Sequence, residues 1–107
     1  NRNNFLTWEK IMTETLEEAR ASLQEKMQGN QIDGSIKFEV DGLGAIVIAE
    51  GNVTISQIDT DCTLKGNLET FQQIFDGELS ATTAFMSGRL TVEGSMGIAM
   101  QYNTILS

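Results

Sequence analysis

From Trp8 to Met27 apolar side chains return every three or four residues, at Trp8, Ile11, Met12, Leu16, Ala19, Leu23 and Met27, with Glu9, Glu14, Glu17, Glu18 and Glu25 mostly between them. That period places the apolar set on one stripe of an α-helix running to about residue 28. Thr7 is positioned as its N-cap, and Gly29-Asn30 supplies a C-terminal stop. The period then drops to two. Ile36, Phe38 and Val40 alternate with Lys37, Glu39 and Asp41, and Asp41-Gly42 leads into the apolar run Ala45 to Ala49. This reads as a β-hairpin. A second turn at Glu50-Gly51-Asn52 introduces Val53, Thr54 and Ile55, and a further strand is predicted over Asp61 to Leu64. Four consecutive strands joined by short turns predict an antiparallel meander.

Beyond them, Leu68, Phe71, Ile74 and Phe75 share one helical face, with Asn67 as cap. Glu78 to Met86 predicts a second short helix ending at Gly88, and Arg89 to Glu93 alternates as a strand with Leu90 and Val92 on one side. Met96, Met100, Ile105 and Leu106 are the apolar contacts expected of a final helix. The order helix, four strands, two helices, strand, helix points to an α+β fold, with helices on one face of a mainly antiparallel sheet. There is no proline, repeat or low-complexity tract at which to divide the chain. All 107 residues are read as one domain, and a hydrophobic content of 40% suffices for a core without staples.

Charge narrows the partners. The formal net charge is −8, and between Asp33 and Glu93 ten carboxylates face only Lys37, Lys65 and Arg89. Binding to nucleic acid needs clustered Lys and Arg, so that partner is excluded, and an anionic bilayer would be repelled. Contact with a membrane is expected to be transient at most. Cys62 is the single cysteine, which fits a reducing compartment and reads as a core thiol. No run reaches the roughly 18 to 20 apolar residues that span a bilayer, and the first residues lack a signal-peptide core.

Chemistry is limited further by the absence of histidine, which removes His-activated nucleophiles, histidine general bases and the usual zinc sets. Asp59-Thr60-Asp61 is the nearest approach to a carboxylate pair for calcium or proton transfer, and a turn and strand start in which Asp accepts backbone hydrogen bonds accounts for it better. The glycines at 42, 44, 94 and 97 complete no phosphate-binding motif. Neither a cofactor nor a metal is expected. What remains is apolar: Phe71, Phe75, Phe85, Met86, Met96 and Met100 crowd into thirty residues. Methionine adapts to irregular space, so the cluster suits a ligand cavity, although spacing alone does not separate a hollow core from a filled one.

The segment AFMSGRLTVEGSMGIAM, Ala84 to Met100, resembles the signature of the sterol carrier protein type two family: a Phe-containing helix end, a G-[KR]-L strand, and an MG-x-AM helix. Upstream, IKFEVDGLGAIVIAEGNVTI, DTDCTL and NLETFQQIFDGELSATTAF follow the family's order, so the resemblance covers roughly residues 32–106. It implies a five-stranded sheet backed by helices, with an apolar tunnel that holds fatty acids, acyl-CoA, sterols or other lipids without reacting with them. By position, Phe71, Ile74, Phe75, Phe85, Met86, Leu90, Met96, Met100 and Ile105 would form the tunnel wall, and the last helix, flanked by Gly94 and Gly97, would be a lid. The chain ends Ile105-Leu106-Ser107 where the family's animal members often carry a peroxisomal tripeptide, so a cytoplasmic protein is expected. The alternative is a dimerisation or interaction module of a larger enzyme, with a filled core. A homodimer is compatible with either reading.

Overall fold

A computed structural model describes residues 2–30 and 34–106, with side chains placed over 15–30 and 34–104. The elements are α1 (Arg2–Met27), β1 (Ile36–Val40), β2 (Gly44–Ala49), β3 (Asn52–Ile55), β4 (Cys62–Gly66), α2 (Leu68–Phe75), α3 (Ala81–Met86), β5 (Thr91–Gly94) and α4 (Met96–Leu106). This is the expected α+β succession, and two of its boundary changes have local causes. Backbone helix begins at Arg2, so Thr7 lies inside α1 rather than capping it. The Ser80 hydroxyl accepts from Thr83 N at 3.0 Å, which starts α3 at Ala81 instead of Glu78. Trp8, Ile11 and Met12 lie outside the described side chains.

The five strands form one sheet in the order β3-β2-β1-β4-β5. Glu50 (φ 54°) and Gly51 (φ 80°) make the tight turn between β2 and β3, closed by the Ala49–Asn52 pair. β4, however, does not extend the meander. It pairs parallel to β1 on the side away from β2, with Ile36 opposite Cys62 and Phe38 opposite Leu64. The expectation of four antiparallel strands therefore fails at β4. Residues 56–61 are long enough to cross three strand spacings of about 4.8 Å each.

The register puts Ile36, Phe38, Ile46, Ile48, Val53, Cys62 and Leu64 on one face, and all are buried in the main core. Helices cover that face: α1 lies over β2 and β3, and α4 lies over β4 and β5. The connection 56–61 consequently crosses the other face, where Ala45, Val47 and Lys37 are also buried but stand apart from the core cluster. That second face carries an alternating charge row. Lys65 Nζ meets Glu93 at 2.9 Å and Glu39 at 3.7 Å, while Lys37 Nζ lies 3.8 Å from Glu39.

Side chains lock the layers. Gln24 of α1 donates to Gly51 O at 3.3 Å and accepts from Val53 N at 3.2 Å, which occupies the exposed edge of β3. Asp61 and Ser35 hold the starts of β1 and β4 together: Asp61 Oδ2 accepts from Ser35 N at 2.9 Å, and Ser35 Oγ accepts from Asp61 N at 3.0 Å. Asp61 O accepts from Ser95 N at 2.9 Å just before α4 begins, so one residue joins β1, β4 and α4. Asp61 is thus a structural carboxylate. Tyr102, buried on α4, donates to Gly34 O at 3.2 Å.

Two predictions follow from this packing. Gly94 has φ +87°, and a Cβ there would collide with the Asp61 carbonyl, whereas a Cβ on helical Gly97 meets nothing closer than 3.8 Å. Gly94→Ala should therefore lose about 2 kcal/mol or more in urea unfolding, and Gly97→Ala should leave stability unchanged or raise it by up to about 1 kcal/mol. Burial pushes the Tyr102 hydroxyl and the Cys62 thiol above their ordinary values, with the Ala99 backbone N–H pulling Cys62 partly back. In the unfolded chain they ionise at about 8.5 (Cys) and about 10 (Tyr); the folded chain keeps those protons to higher pH. Their contribution is whole below these values and is lost as pH rises past them. Melting temperature should hold steady from pH 7 to 8 and fall above about pH 9, with a shallower fall beyond pH 10 in Tyr102→Phe.

Candidate functional site

The backbone of α4 crosses β4 and β5 and touches α3, and the space left between these elements is an apolar cavity of about 310 Å³. Its floor is Leu64 and Val92, which are register partners on β4 and β5, together with Leu90. Phe85 and Met86 come from α3, and Met96, Ala99 and Met100 come from α4. Met96, Met100 and Asn103 fall at i, i+4 and i+7, so they share one side of α4.

The rim is exposed apolar surface: Met86 is 80% accessible, Met100 62%, Met96 43% and Phe85 42%. Met96 and Met100, expected as apolar contacts of α4 and as wall residues, do not anchor the helix in the core. Tyr102 does that, with Ile98 and Ala99 packed beside it, and the methionines line the adjacent, open side. The Cys62 thiol is buried on β4, under the backbone N–H of Ala99.

A second cavity, about 180 Å³, lies between α1, α2 and the β1–β2 half of the sheet. Phe71 and Phe75 line it, stacked on each other at 6.0 Å and each edge-on to Phe38. Its wall also includes Glu18 and Asp76, so it is acidic as well as apolar. Phe71 and Phe75 thus line a different cavity from Phe85, Met86, Leu90, Met96 and Met100. The division lies at Gly66. A Cβ on Gly66 would stand 3.3 Å from Leu90 Cδ1 and 3.5 Å from Phe71 Cε2, so a side chain from each cavity's wall comes down on the same glycine.

Of the residues expected to share one wall, the structure gathers Phe85, Met86, Leu90, Met96 and Met100 around the larger cavity and sends Phe71 and Phe75 to the smaller. Ile74 is buried in the core and lines neither. Ile105 lies outside the described side chains. Leu64, Val92, Ala99, Thr82 and Asn103 line the larger cavity without having been anticipated. Leu64 and Val92 carried a signal in their strand alternation, but only the β4–β5 pairing brings them together.

Among the described residues no three His, Cys, Asp or Glu side chains are placed to hold a metal ion, and no helix is long and apolar enough to cross a membrane.

Comparison with known proteins places this geometry. Hydroxysteroid dehydrogenase-like protein 2 of Danio rerio is 36% identical over 50 residues, which are 47% of this chain and 12% of that protein, so the chain spans a small part of that relative's length. Sterol Carrier Protein 2 Like 2 from Aedes aegypti superposes with a TM-score of 0.70 at 16% identity, covering 89% of this chain and 96% of the other. The solution structure of Sterol Carrier Protein-2 from Aedes aegypti in complex with the C16 fatty acid palmitate gives 0.70 at 17% identity, covering 87% and 97%. At such identities these structures speak for the fold. The model of the SCP-2 sterol transfer family matches residues 12–107, and the chain belongs to that family.

Proposed function

We propose that this chain binds a lipid-like apolar molecule in the cavity between α3, α4 and the β4–β5 floor, and carries it without chemical change. One observation supports this reading above the others. Among the described residues the larger cavity has no charged side chain in its wall, and it opens through a rim of Phe85, Met86, Met96 and Met100. At about 310 Å³ it reaches the lower end of the range for small-molecule sites. Methionine walls adapt to ligands of different shape, which suits a carrier. The palmitate held by a structural neighbour supports the same ligand class.

Affinity would come from removing ligand surface from water. About ten buried methylenes contribute roughly 8 kcal/mol gross, from which association and ordering costs are subtracted. An open cavity beneath an exposed apolar rim speaks against the alternative of an interaction module with a filled core. Buried Cys62 supports a reducing compartment, the cytoplasm in this reading, and the net charge of −8 keeps membrane contact brief.

Uptake of the neutral probe diphenylhexatriene, followed by its fluorescence, tests the proposal. Wild-type protein should take up the probe at low micromolar concentration. Met100→Glu, which sets a carboxylate on the exposed rim, should cut uptake at least tenfold and leave the circular dichroism spectrum unchanged. Equal uptake by both proteins removes α4 from the site.

A further inference from the structure

Sulfur is unevenly placed in this molecule. Of its six sulfur-bearing side chains, Met12 lies outside the described ones, Cys62 and Met27 are buried, and Met86, Met96 and Met100 are exposed. All three exposed thioethers line the larger cavity. They reach its mouth from two helices, Met86 from α3 and Met96 and Met100 from successive turns of α4.

Access decides which sulfur an oxidant meets. Peroxide attacks cysteine as the thiolate, and burial both hides Cys62 and keeps its thiol protonated to higher pH. A methionine thioether needs no ionisation, so exposure governs its oxidation. Among the described residues, the sulfur open to peroxide is therefore the sulfur at the mouth of the cavity.

We propose that this mouth is a peroxide-sensitive modification site: oxidation of Met86, Met96 and Met100 to sulfoxides lowers the affinity of the cavity for its apolar ligand, and reduction restores it. The inference rests on the lipid-binding reading above and goes beyond it in giving that site a regulation. The oxidant is hydrogen peroxide. A sulfur lone pair attacks one peroxide oxygen as the O–O bond breaks; sulfur gains that oxygen and gives up two electrons, and the other oxygen leaves with both hydrogens as water. The sulfoxide is polar where the thioether was apolar, and it can take two positions. Turned outward, it keeps its water but withdraws apolar surface from the wall. Kept in place, it sets a polar oxygen against the ligand in a wall where Thr82 and Asn103 are the described polar side chains. Either position weakens binding. Met96, the least accessible of the three at 43%, has the most wall contact to lose.

The test treats the full chain with hydrogen peroxide at pH 7.5, removes the excess with catalase, locates the added oxygen by peptide mass mapping, and then measures diphenylhexatriene uptake. Met86, Met96 and Met100 should each gain one oxygen, with buried Met27 slower by about tenfold. The probe concentration for half-maximal uptake should rise about fivefold or more. Methionine sulfoxide reductases A and B, one for each epimer, should return it to its starting value. With Met86→Leu, Met96→Leu and Met100→Leu combined, the affinities before and after peroxide should be equal, whatever the starting affinity. Oxidation of Met27 as fast as the mouth methionines overturns the inference. So does an equal loss of uptake in the leucine variant, or a loss that persists after the reductases have removed the added oxygen. The reductase measurement needs no variant, so it decides even where the leucine variant does not fold. Unchanged uptake by the fully oxidised protein overturns the inference alone, whereas failure of the untreated protein to take up the probe overturns the lipid-binding reading and the inference with it.

Discussion

The arrangement depends on one close approach, where the backbone of Asp61 meets Ser35, Gly94 and Ser95. Its side chain and N–H fix the start of β4 beside the start of β1 through Ser35. Its carbonyl receives Ser95 N–H and leaves no room for a Cβ at Gly94. Three consequences share this origin: the parallel β1–β4 pairing, the antiparallel β4–β5 pairing, and the point from which α4 departs. Ser95 Oγ, which accepts from Ile98 N at 3.3 Å, then sets the first turn of α4. The angle of α4 over β4 and β5 is therefore set at the floor of the sheet before any apolar contact refines it.

A sheet that is apolar on one face and carries a charge row on the other admits helices on one side only. Those helices do not fill the space they cover. α1 is tied by Gln24 to the β2–β3 turn and α4 by Tyr102 to Gly34, so both ends of the helical layer are held by hydrogen bonds to backbone. The short α2 and α3 between them leave two hollows, parted where Leu90 and Phe71 converge on Gly66. There Leu90 and Phe71 pack beside a residue without a Cβ, with the Arg89 carbonyl equally close.

Much of this was legible in the sequence. The period-two runs at Ile36 to Val40 and Ala45 to Ala49, the stripe Leu16, Leu23 and Met27, and the cap at Asn67 each specify local structure by themselves, and the structure agrees with them. The family signature from Ala84 to Met100 gave the order of elements around the larger cavity. The position of β4 was not legible, because alternation in Cys62 to Leu64 states which face is buried but not which strand lies alongside. The same limit split the wall residues. Phe71 and Phe85 are both aromatic, both helical and fourteen positions apart, and only the packing at Gly66 assigns them to different cavities. Tyr102 was missed as the anchor of α4 because the methionine pattern suggested a face one step around the helix.

The parallel pairing of β1 with β4 bears on the order in which the chain can organise itself. β1 is the middle strand and one of the most apolar, yet only its β2 side can close locally. Its other edge stays open until residues 62–66 have been synthesised and delivered across the sheet, some twenty-five positions later. For that interval the N-terminal half offers an unpaired apolar edge of the kind that recruits other chains. Contacts of such sequence separation also slow folding relative to a simple meander. The crossover that shapes the floor of the cavity thus makes the nascent protein vulnerable to misassembly at its centre, a hazard that ends when Asp61 reaches Ser35.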